Sequence, residues 1–343
     1  MLWHRCASCE VDRTSVHLSW PFGAEVNHGN LVFGFKGTRV DHGADRLTSR
    51  TAFGTSKFNT WPARGVREGS TSGPAALRWR AVEGHDRFAP GVTKWTEGLG
   101  KVRDAVRQEL VGRQLVAHLP LACSRQLEVL DAGCGQGTVA LARLGHHVLG
   151  VDLSVELLEL ARQAASGEPA EVRSRLRFAR VDLLDLGGDF AGRFDVVCCH
   201  GVAMYLPSLK GTVAALVAAA SPGGLVSLLT RNQAALAMRA GMTKDWAGTL
   251  VAFDARRYTN RLEIDDVRAD LPSEVQAAFN DIGSMVLAWY GVRLFSDHWE
   301  TAEVPSDFAG LLAAEEEAGR RDPYRALAAL THTVARTHGT GRE

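Results

Sequence analysis

LEVLDAGCGQG, residues 127–137, is the stretch that decides the fold of this chain. Its first half is rich in leucine and valine, as in a strand that is covered on both faces. Its second half carries glycines at alternate positions, namely Gly133, Gly135 and Gly137. Glycine lets backbone N–H groups approach a ligand closely because no side chain intervenes. The stretch therefore predicts a buried strand that ends in a glycine turn and opens a helix.

The spacing of the glycines narrows the kind of ligand. A dinucleotide-binding turn places its third glycine one residue later and directs a pyrophosphate onto the helix N-terminus. This spacing disfavours an NAD-dependent dehydrogenase. A second apolar strand, residues 147–152, ends in Asp152, where a carboxylate can accept hydrogen bonds from both hydroxyls of a ribose. The glycine turn and Asp152 together predict a site for a ligand that contains a nucleoside.

Length and composition indicate a folded protein. The chain has 343 residues, of which 45% are hydrophobic, enough for a large core. No apolar run reaches the roughly 18 to 20 residues that span a bilayer, and no signal peptide is evident, so we expect a cytoplasmic protein without a membrane partner. The formal net charge is zero, which gives no basic field over the whole protein for nucleic acid.

The N-terminal part differs from the rest. Residues 1–72 keep neither a helical nor a strand period, and we expect them to be a disordered or non-native extension whose deletion leaves folding and activity unchanged. Cys6 and Cys9 have a metal-ligand spacing but lack a second ligand pair, so no metal site is predicted. We expect a helical cap over residues 73–120, a catalytic domain over 121–337 with an insertion at about 231–280, and a tail over 338–343.

From residue 102 onward, helical and strand-like segments alternate, as in a parallel sheet flanked by helices. The helices are predicted at residues 102–119, after the glycine turn, from Ser154 and at 208–220. The strands are predicted at residues 127–132, 147–152, 176–182, 194–200 and 225–229, the last preceded by a turn at 221–224. Strands at 285–295 and 329–336, joined by a helix at 307–319, predict that a hairpin-like last strand closes the sheet.

Several segments together resemble the class I S-adenosylmethionine-dependent methyltransferases over residues 85–337, and in particular the bacterial tRNA 5-carboxymethoxyuridine methyltransferase family. The segments that carry the resemblance are GVTK at 91–94, KVR at 101–103, DAG at 131–133, CCHGV at 198–202, YGVRLFSD at 290–297, DPY at 322–324 and HTVAR at 332–336. The resemblance implies an α/β fold with a doubly wound, seven-stranded Rossmann-like sheet and an antiparallel last strand. It also implies S-adenosyl-L-methionine as cofactor.

The resemblance also suggests how the methyl donor is held. We expect Asp131 and the glycine turn to face the amino-acid part of the donor, and Asp152 with Leu153 to hold the ribose. In the family, the arginine that matches Arg103 contacts the donor's carboxylate, which suits a guanidinium. The remaining cofactor-site residues are expected to be Asp182 and Leu183 at the adenine, with Leu183 or Leu184 packing on the ring, and His200.

The acceptor is less constrained by the sequence. The family methylates a carboxymethoxy group on the wobble uridine, and an ionised carboxylate needs no general base. Arg293 is the candidate that clamps this carboxylate, although a pair with Asp297 on the surface would also explain it. DNA amino-group methylation is disfavoured because HGVA at 200–203 replaces the usual acidic or amide residue, two prolines and aromatic residue.

Residues 231–261 mix six basic residues with Trp246, Phe253 and Tyr258, which suits the phosphates and bases of a tRNA anticodon loop. A helical cap over a small-molecule pocket explains the same residues. The leading hypothesis is thus a methyltransferase acting on tRNA, and the alternative is a small-molecule O-methyltransferase with a carboxylate or hydroxyl acceptor. A non-catalytic binding protein and an NAD-dependent oxidoreductase are the competing classes, and the oligomeric state stays open.

Overall fold

The computed structural model describes residues 86–120, 125–135, 138–299 and 302–339. The predictions made for residues 1–72, including Cys6 and Cys9, lie outside these ranges and stay predictions. No helix within the described ranges is long and apolar enough to cross a bilayer.

The strands confirm the predicted sheet. In chain order they are β1 (Glu128–Ala132), β2 (His147–Asp152), β3 (Leu176–Arg180), β4 (Phe194–His200), β5 (Ala220–Arg231), β6 (Arg257–Tyr258), β7 (Val267–Arg268), β8 (Met285–Val292) and β9 (Leu330–Arg336). Seven of them form one sheet in the order β3-β2-β1-β4-β5-β9-β8, and β6 pairs with β7 separately. The first five strands of the large sheet are parallel, whereas β9 runs antiparallel to both of its neighbours. The antiparallel last strand is thus confirmed.

Helices cover both faces of this sheet. In chain order they are α1 (Val92–Glu97), α2 (Val102–Val116), α3 (Val139–Arg143), α4 (Val155–Ser166), α5 (Ala170–Ser174), α6 (Leu209–Ala219), α7 (Leu236–Met242), α8 (Trp246–Ala252), α9 (Pro272–Asn280) and α10 (Phe308–Ala318). Apolar residues of α6 and α9 pack on one face, and those of α2, α3, α4 and α5 pack on the other. The arrangement is doubly wound, as expected.

The bounds of β3 and β5 differ from the sequence-based prediction. The side chain of Asp182 accepts the backbone N–H of Leu184 at 2.9 Å, and this local cap ends β3 two residues early. The predicted turn at 221–224 lies inside β5 instead of before it. Phe194 pairs with Ala220 but Val196 pairs with Leu225, so β5 holds additional residues that bulge from the ladder.

Helix α2 packs in the core by its apolar residues and also carries two buried polar side chains. Val102, Val106 and Leu110 recur at helical spacing and are fully buried, and burying each such side chain stabilises the fold by about 1.5 to 3 kcal/mol. Arg103 and Gln114 lie on the same helix and are also buried. Packing of α2 therefore carries polar side chains to the carboxyl ends and the face of the sheet.

Candidate functional site

The glycine turn after β1 is closely packed. Gly133 has φ +76°, and a Cβ there would lie 2.2 Å from Cγ2 of Val202. Gly135 has φ +45°, also in the left-handed region that favours glycine. Glycine at these two positions is therefore required by the left-handed backbone and by close packing against Val202 and Trp95. Gly137 lies outside the described residues, so its predicted role is untested.

Two carboxylates, the buried Asp131 and the half-buried Asp152, lie at the ends of adjacent strands. Asp131, at β1, accepts a hydrogen bond from the hydroxyl of Thr138 at 3.0 Å, and burial raises its pKa to about 7. Asp152, at β2, accepts the backbone N–H of Ser154 at 3.0 Å, and burial raises its pKa to about 6. Among the described residues, neither carboxylate forms an ion pair with a basic side chain, so a ligand with cationic or hydroxyl groups would complement both.

The residues expected near the adenine differ in which of their atoms are accessible to a ligand. The side chain of Leu183 is buried in the core, so only its backbone can reach a ligand. Leu184 is 45% exposed and is the leucine available for packing on a ring. The carbonyl of Leu153 already accepts the Nε–H of Arg180 at 3.0 Å. Asp182 is engaged in its cap, as described above.

His200 ends β4 and begins a chain of buried polar side chains. Its Nε2 lies 2.8 Å from Oγ of Ser227 on β5, which lies 2.7 Å from Nε2 of His332 on β9. Nδ1 of His332 lies 2.7 Å from Oε1 of Gln114 on α2. Burial lowers the pKa of His200 to about 3, and that of His332 well below its ordinary value, so both imidazoles are neutral. The sequence did not predict the last three members of this chain.

A second group, the arginine cluster, consists of Arg103, Arg231 and Arg293 around Asp297. Guanidinium nitrogens of Arg103, Arg293 and Arg231 lie 2.9, 3.2 and 3.5 Å from the oxygens of Asp297, respectively. The sequence offered an ion pair of Arg293 with Asp297 on the surface as the alternative role of Arg293. The pair does form, but it is buried and not on the surface. Arg103 and Arg293, both candidates from the sequence, are thus in one site.

The cluster holds more donors than its single carboxylate can satisfy. Burial would raise the pKa of Asp297, but the three guanidinium groups lower it well below its ordinary value. Buried nitrogens without a hydrogen-bond partner among the described residues are Nε and Nη1 of Arg103, Nε of Arg231 and Nε of Arg293. Unpaired buried donors are costly, which makes the cluster a candidate site for an anion.

The loop that carries Arg293 and Asp297 is held in place by Glu315 on α10. The Glu315 carboxylate accepts backbone N–H groups of Leu294, Phe295 and Ser296 at 2.8, 3.1 and 2.8 Å. Arg293 itself has φ +63°, an unusual conformation for a residue other than glycine. This turn ends β8 at Val292, three residues before the predicted end.

The basic segment 231–261 contains one arginine in the buried cluster and several exposed residues. Arg231 joins the cluster and lies 5.5 Å from the ring centre of Tyr258. Trp246 and Phe253 are 65% and 63% exposed, on and just after α8. Exposed arginines of this segment form ion pairs, namely Arg256 with Glu274 and Arg257 with Asp266. The basic residues of this segment therefore do not form one continuous exposed surface, because Arg231 lies in the buried cluster and Arg256 and Arg257 form ion pairs.

Comparison with known proteins agrees with this fold and site. Residues 130–226 match a protein family described as a methyltransferase domain. The chain is a class I S-adenosylmethionine-dependent methyltransferase, and S-adenosylmethionine is its cofactor. This result excludes the dehydrogenase alternative.

Its relatives differ in acceptor. The chain is 26% identical over 240 residues to a tRNA 5-carboxymethoxyuridine methyltransferase of Escherichia coli (strain K12), covering 69% of this chain and 90% of that protein. It is 32% identical over 162 residues to a ubiquinone biosynthesis O-methyltransferase of Xanthomonas axonopodis pv. citri (strain 306), covering 45% of this chain and 63% of that protein. An S-adenosylmethionine-dependent methyltransferase structure from Mesorhizobium loti matches with a TM-score of 0.44 and 19% identity, over 66% of this chain and 97% of that chain.

Proposed function

We propose that this methyltransferase transfers its methyl group to the carboxylate of a modified wobble uridine in tRNA, in the cytoplasm. The observation that carries the proposal is the arginine cluster with its unpartnered buried donors. The relative from Escherichia coli, which bears the name of this activity, supports the choice of tRNA because it aligns along most of its length.

The charges of the cluster agree with a carboxylate acceptor. Three guanidinium groups face one carboxylate, which leaves an excess of two positive charges. Burial lowers the pKa of Arg293 to about 9, so it still carries its charge at neutral pH. Two carboxylates offset this excess: the one on the methionine part of the donor at Arg103, and the one on the acceptor at Arg293.

The remaining site residues are proposed to hold the donor. Asp131 faces the ammonium group of the donor, Asp152 and Leu153 the ribose, and Asp182 with the backbone of Leu183 the adenine. Gly133 and Gly135 give the turn the left-handed backbone that would bring its N–H groups towards the donor. When bound, S-adenosylmethionine supplies an electrophilic methyl group on a sulfonium.

The reaction then needs alignment more than acid–base chemistry. One oxygen of the acceptor carboxylate attacks the methyl carbon in line, a C–O bond forms, and the C–S bond breaks to leave a neutral thioether. Arg293 holds the other oxygen, so it orients the nucleophile. No proton moves, which is consistent with the low pKa of His200, since a pKa of about 3 makes it a weak base at neutral pH.

A small-molecule carboxylate is the second candidate acceptor. The relative from Xanthomonas, an O-methyltransferase of ubiquinone biosynthesis, favours it, and so do the exposed apolar side chains of Leu250 and Val251 on α8. Such an exposed apolar surface suits an apolar molecule as well as bases. The charge of the cluster fits either acceptor.

A labelled-methyl assay on bulk tRNA tests the proposal. The tRNA is taken from cells lacking the gene, and we expect transfer by the wild-type enzyme, with at least a tenfold loss in Arg293→Gln. Arg162→Gln, at an exposed arginine of α4 that pairs with Glu159, is the matched control and keeps near-wild-type transfer. If the wobble-uridine ester content of these cells equals that of wild-type cells, tRNA is not the acceptor. Transfer to small carboxylates then becomes the test of the second candidate.

A further inference from the structure

The chain from His200 through Ser227 and His332 to Gln114 crosses three strands and reaches a helix. His200 and His332 both pair with Leu229 in the ladder, one from each side, and Ser227 lies two residues before Leu229 on the same face of β5. Ser227 and His332 are completely buried. Such polar side chains in the middle of a covered sheet are costly unless each hydrogen bond is made.

The direction of these hydrogen bonds follows from counting protons. Oε1 of Gln114 has no proton, so Nδ1–H of His332 donates to it. A neutral imidazole has one N–H, so Nε2 of His332 accepts the Oγ–H of Ser227. The serine proton is then used, and Ser227 must accept Nε2–H from His200. Nδ1 of His200 is left with a lone pair.

The orientation of the Gln114 amide, with Oε1 towards His332, selects this direction over the reverse. The reversed chain needs the other orientation of the Gln114 amide and would place the proton of His200 on Nδ1. Burial is the main cause that lowers the pKa of both imidazoles; Arg107 on α2 adds to it at His200, and His200 and His118 add to it at His332. Tyr290 on β8 lies beside His332 and is bound to His118. Arg107 lowers the pKa of His200 and therefore disfavours an imidazole that is protonated at both nitrogens.

We propose that Ser227, His332 and Gln114 are positioning residues that fix His200 as the Nε2–H tautomer, so that its Nδ1 accepts a hydrogen bond from the methyl donor. The inference rests on the proposed placement of the donor at the carboxyl ends of β1 and β4. The donor carries an ammonium and a sulfonium, so a neutral acceptor at this edge complements it without adding charge. His200 would touch the cofactor, and the other three act through it.

The tautomer can be measured directly. Nitrogen-15 NMR of the full chain, labelled on histidine, distinguishes a protonated from an unprotonated ring nitrogen, and His200→Asn assigns the signal. We expect an unprotonated Nδ1 on His200 in the wild type and a mixture of tautomers in Ser227→Ala. A wild-type His200 protonated at Nδ1, or at both nitrogens, at neutral pH would overturn the proposal.

Donor affinity gives the second readout. Isothermal titration with S-adenosylhomocysteine should show about a tenfold weaker affinity in Ser227→Ala, equivalent to about 1.4 kcal/mol, with recovery in Ser227→Thr. Thr333→Val is the matched control, because Thr333 is equally buried on β9 and its hydroxyl has no partner among the described residues. Gln114→Met repeats the test from α2 if Ser227→Ala fails to fold.

An affinity for S-adenosylhomocysteine within twofold of the wild type in both Ser227→Ala and Gln114→Met would refute the positioning role. Neither readout needs an acceptor. Failure of methyl transfer to tRNA therefore leaves the tautomer and the donor affinity to be judged separately.

Discussion

Replacing Asp131 by asparagine should stabilise the protein without its cofactor and weaken cofactor binding at the same time. Burial raises the pKa of Asp131 from 3.8 to about 7. The folded state therefore holds a proton between those pH values that the unfolded chain has released. Asp131 contributes stability that is complete below pH of about 4 and is lost as the pH rises through about 7.

The size of the effect follows from the same shift. One pKa unit corresponds to about 1.4 kcal/mol, so a shift from 3.8 to about 7 corresponds to roughly 4 kcal/mol at neutral pH, an upper value. Asparagine keeps the shape and a partner for Thr138 but never ionises. The stability difference, variant minus wild type, should therefore increase by up to about 1.4 kcal/mol for each pH unit between 4 and 7.

Urea unfolding followed by circular dichroism at four pH values between 4.5 and 7.5 measures this difference. The histidines His200 and His332 titrate in the opposite sense, but they are common to both proteins and cancel. Asp189→Asn, at an exposed carboxylate, controls for the substitution itself. A difference for Asp131→Asn that is constant with pH would refute the reasoning. Titration with S-adenosylhomocysteine should show the converse loss, of roughly 1.5 to 3 kcal/mol, for a charged hydrogen bond.

Three further predictions concern single residues. Asp152→Ala should weaken S-adenosylhomocysteine binding by about 1.5 to 3 kcal/mol in calorimetry, and unchanged affinity would mean that the ribose is held elsewhere. Gly133→Ala should destabilise the fold by at least roughly 1 to 3 kcal/mol in urea unfolding because of its positive φ and the contact with Val202; a neutral effect would contradict the close packing of the turn. Asp297→Asn should destabilise by about 3 to 5 kcal/mol, with partial recovery in added phosphate, and no recovery would argue against an anion site.

The donor half of the site was largely predictable from the sequence. The strand, the glycine turn and Asp152 occur within one short part of the chain, and each is placed by local structure. Strand periodicity sets which side chains are buried, and the ends of neighbouring parallel strands meet at one edge. A local pattern is therefore enough to bring Asp131 and Asp152 together.

The arginine cluster, where the acceptor is proposed to bind, was predictable only in part. Arg103 and Arg293 were expected from a family resemblance, and Arg231 only as one of several basic residues. Arg103 and Asp297 are 194 residues apart, so no local pattern joins them. Their meeting depends on how α2 packs across the sheet and on the turn at Arg293, which a propensity for strand does not predict.

The chain of Ser227, His332 and Gln114 was missed for a different reason. A single serine or histidine within a strand is common and is usually satisfied by its surroundings. A usable signal was present, because β5 and β9 are otherwise covered strands and polar residues in such strands need partners. Recognising it required the register of β5 against β9, which sequence alone does not set.

The long separation between Arg103 and Asp297 has a consequence for the protein during its synthesis. A ribosome adds residues in order, so the segments proposed to hold the donor, up to His200, emerge long before the loop of Asp297. Strand β9 inserts between β5 and β8 and comes later still. A nascent chain can therefore fold the first strands of the sheet while its anion site is still missing, and prematurely terminated chains should lack an acceptor site altogether.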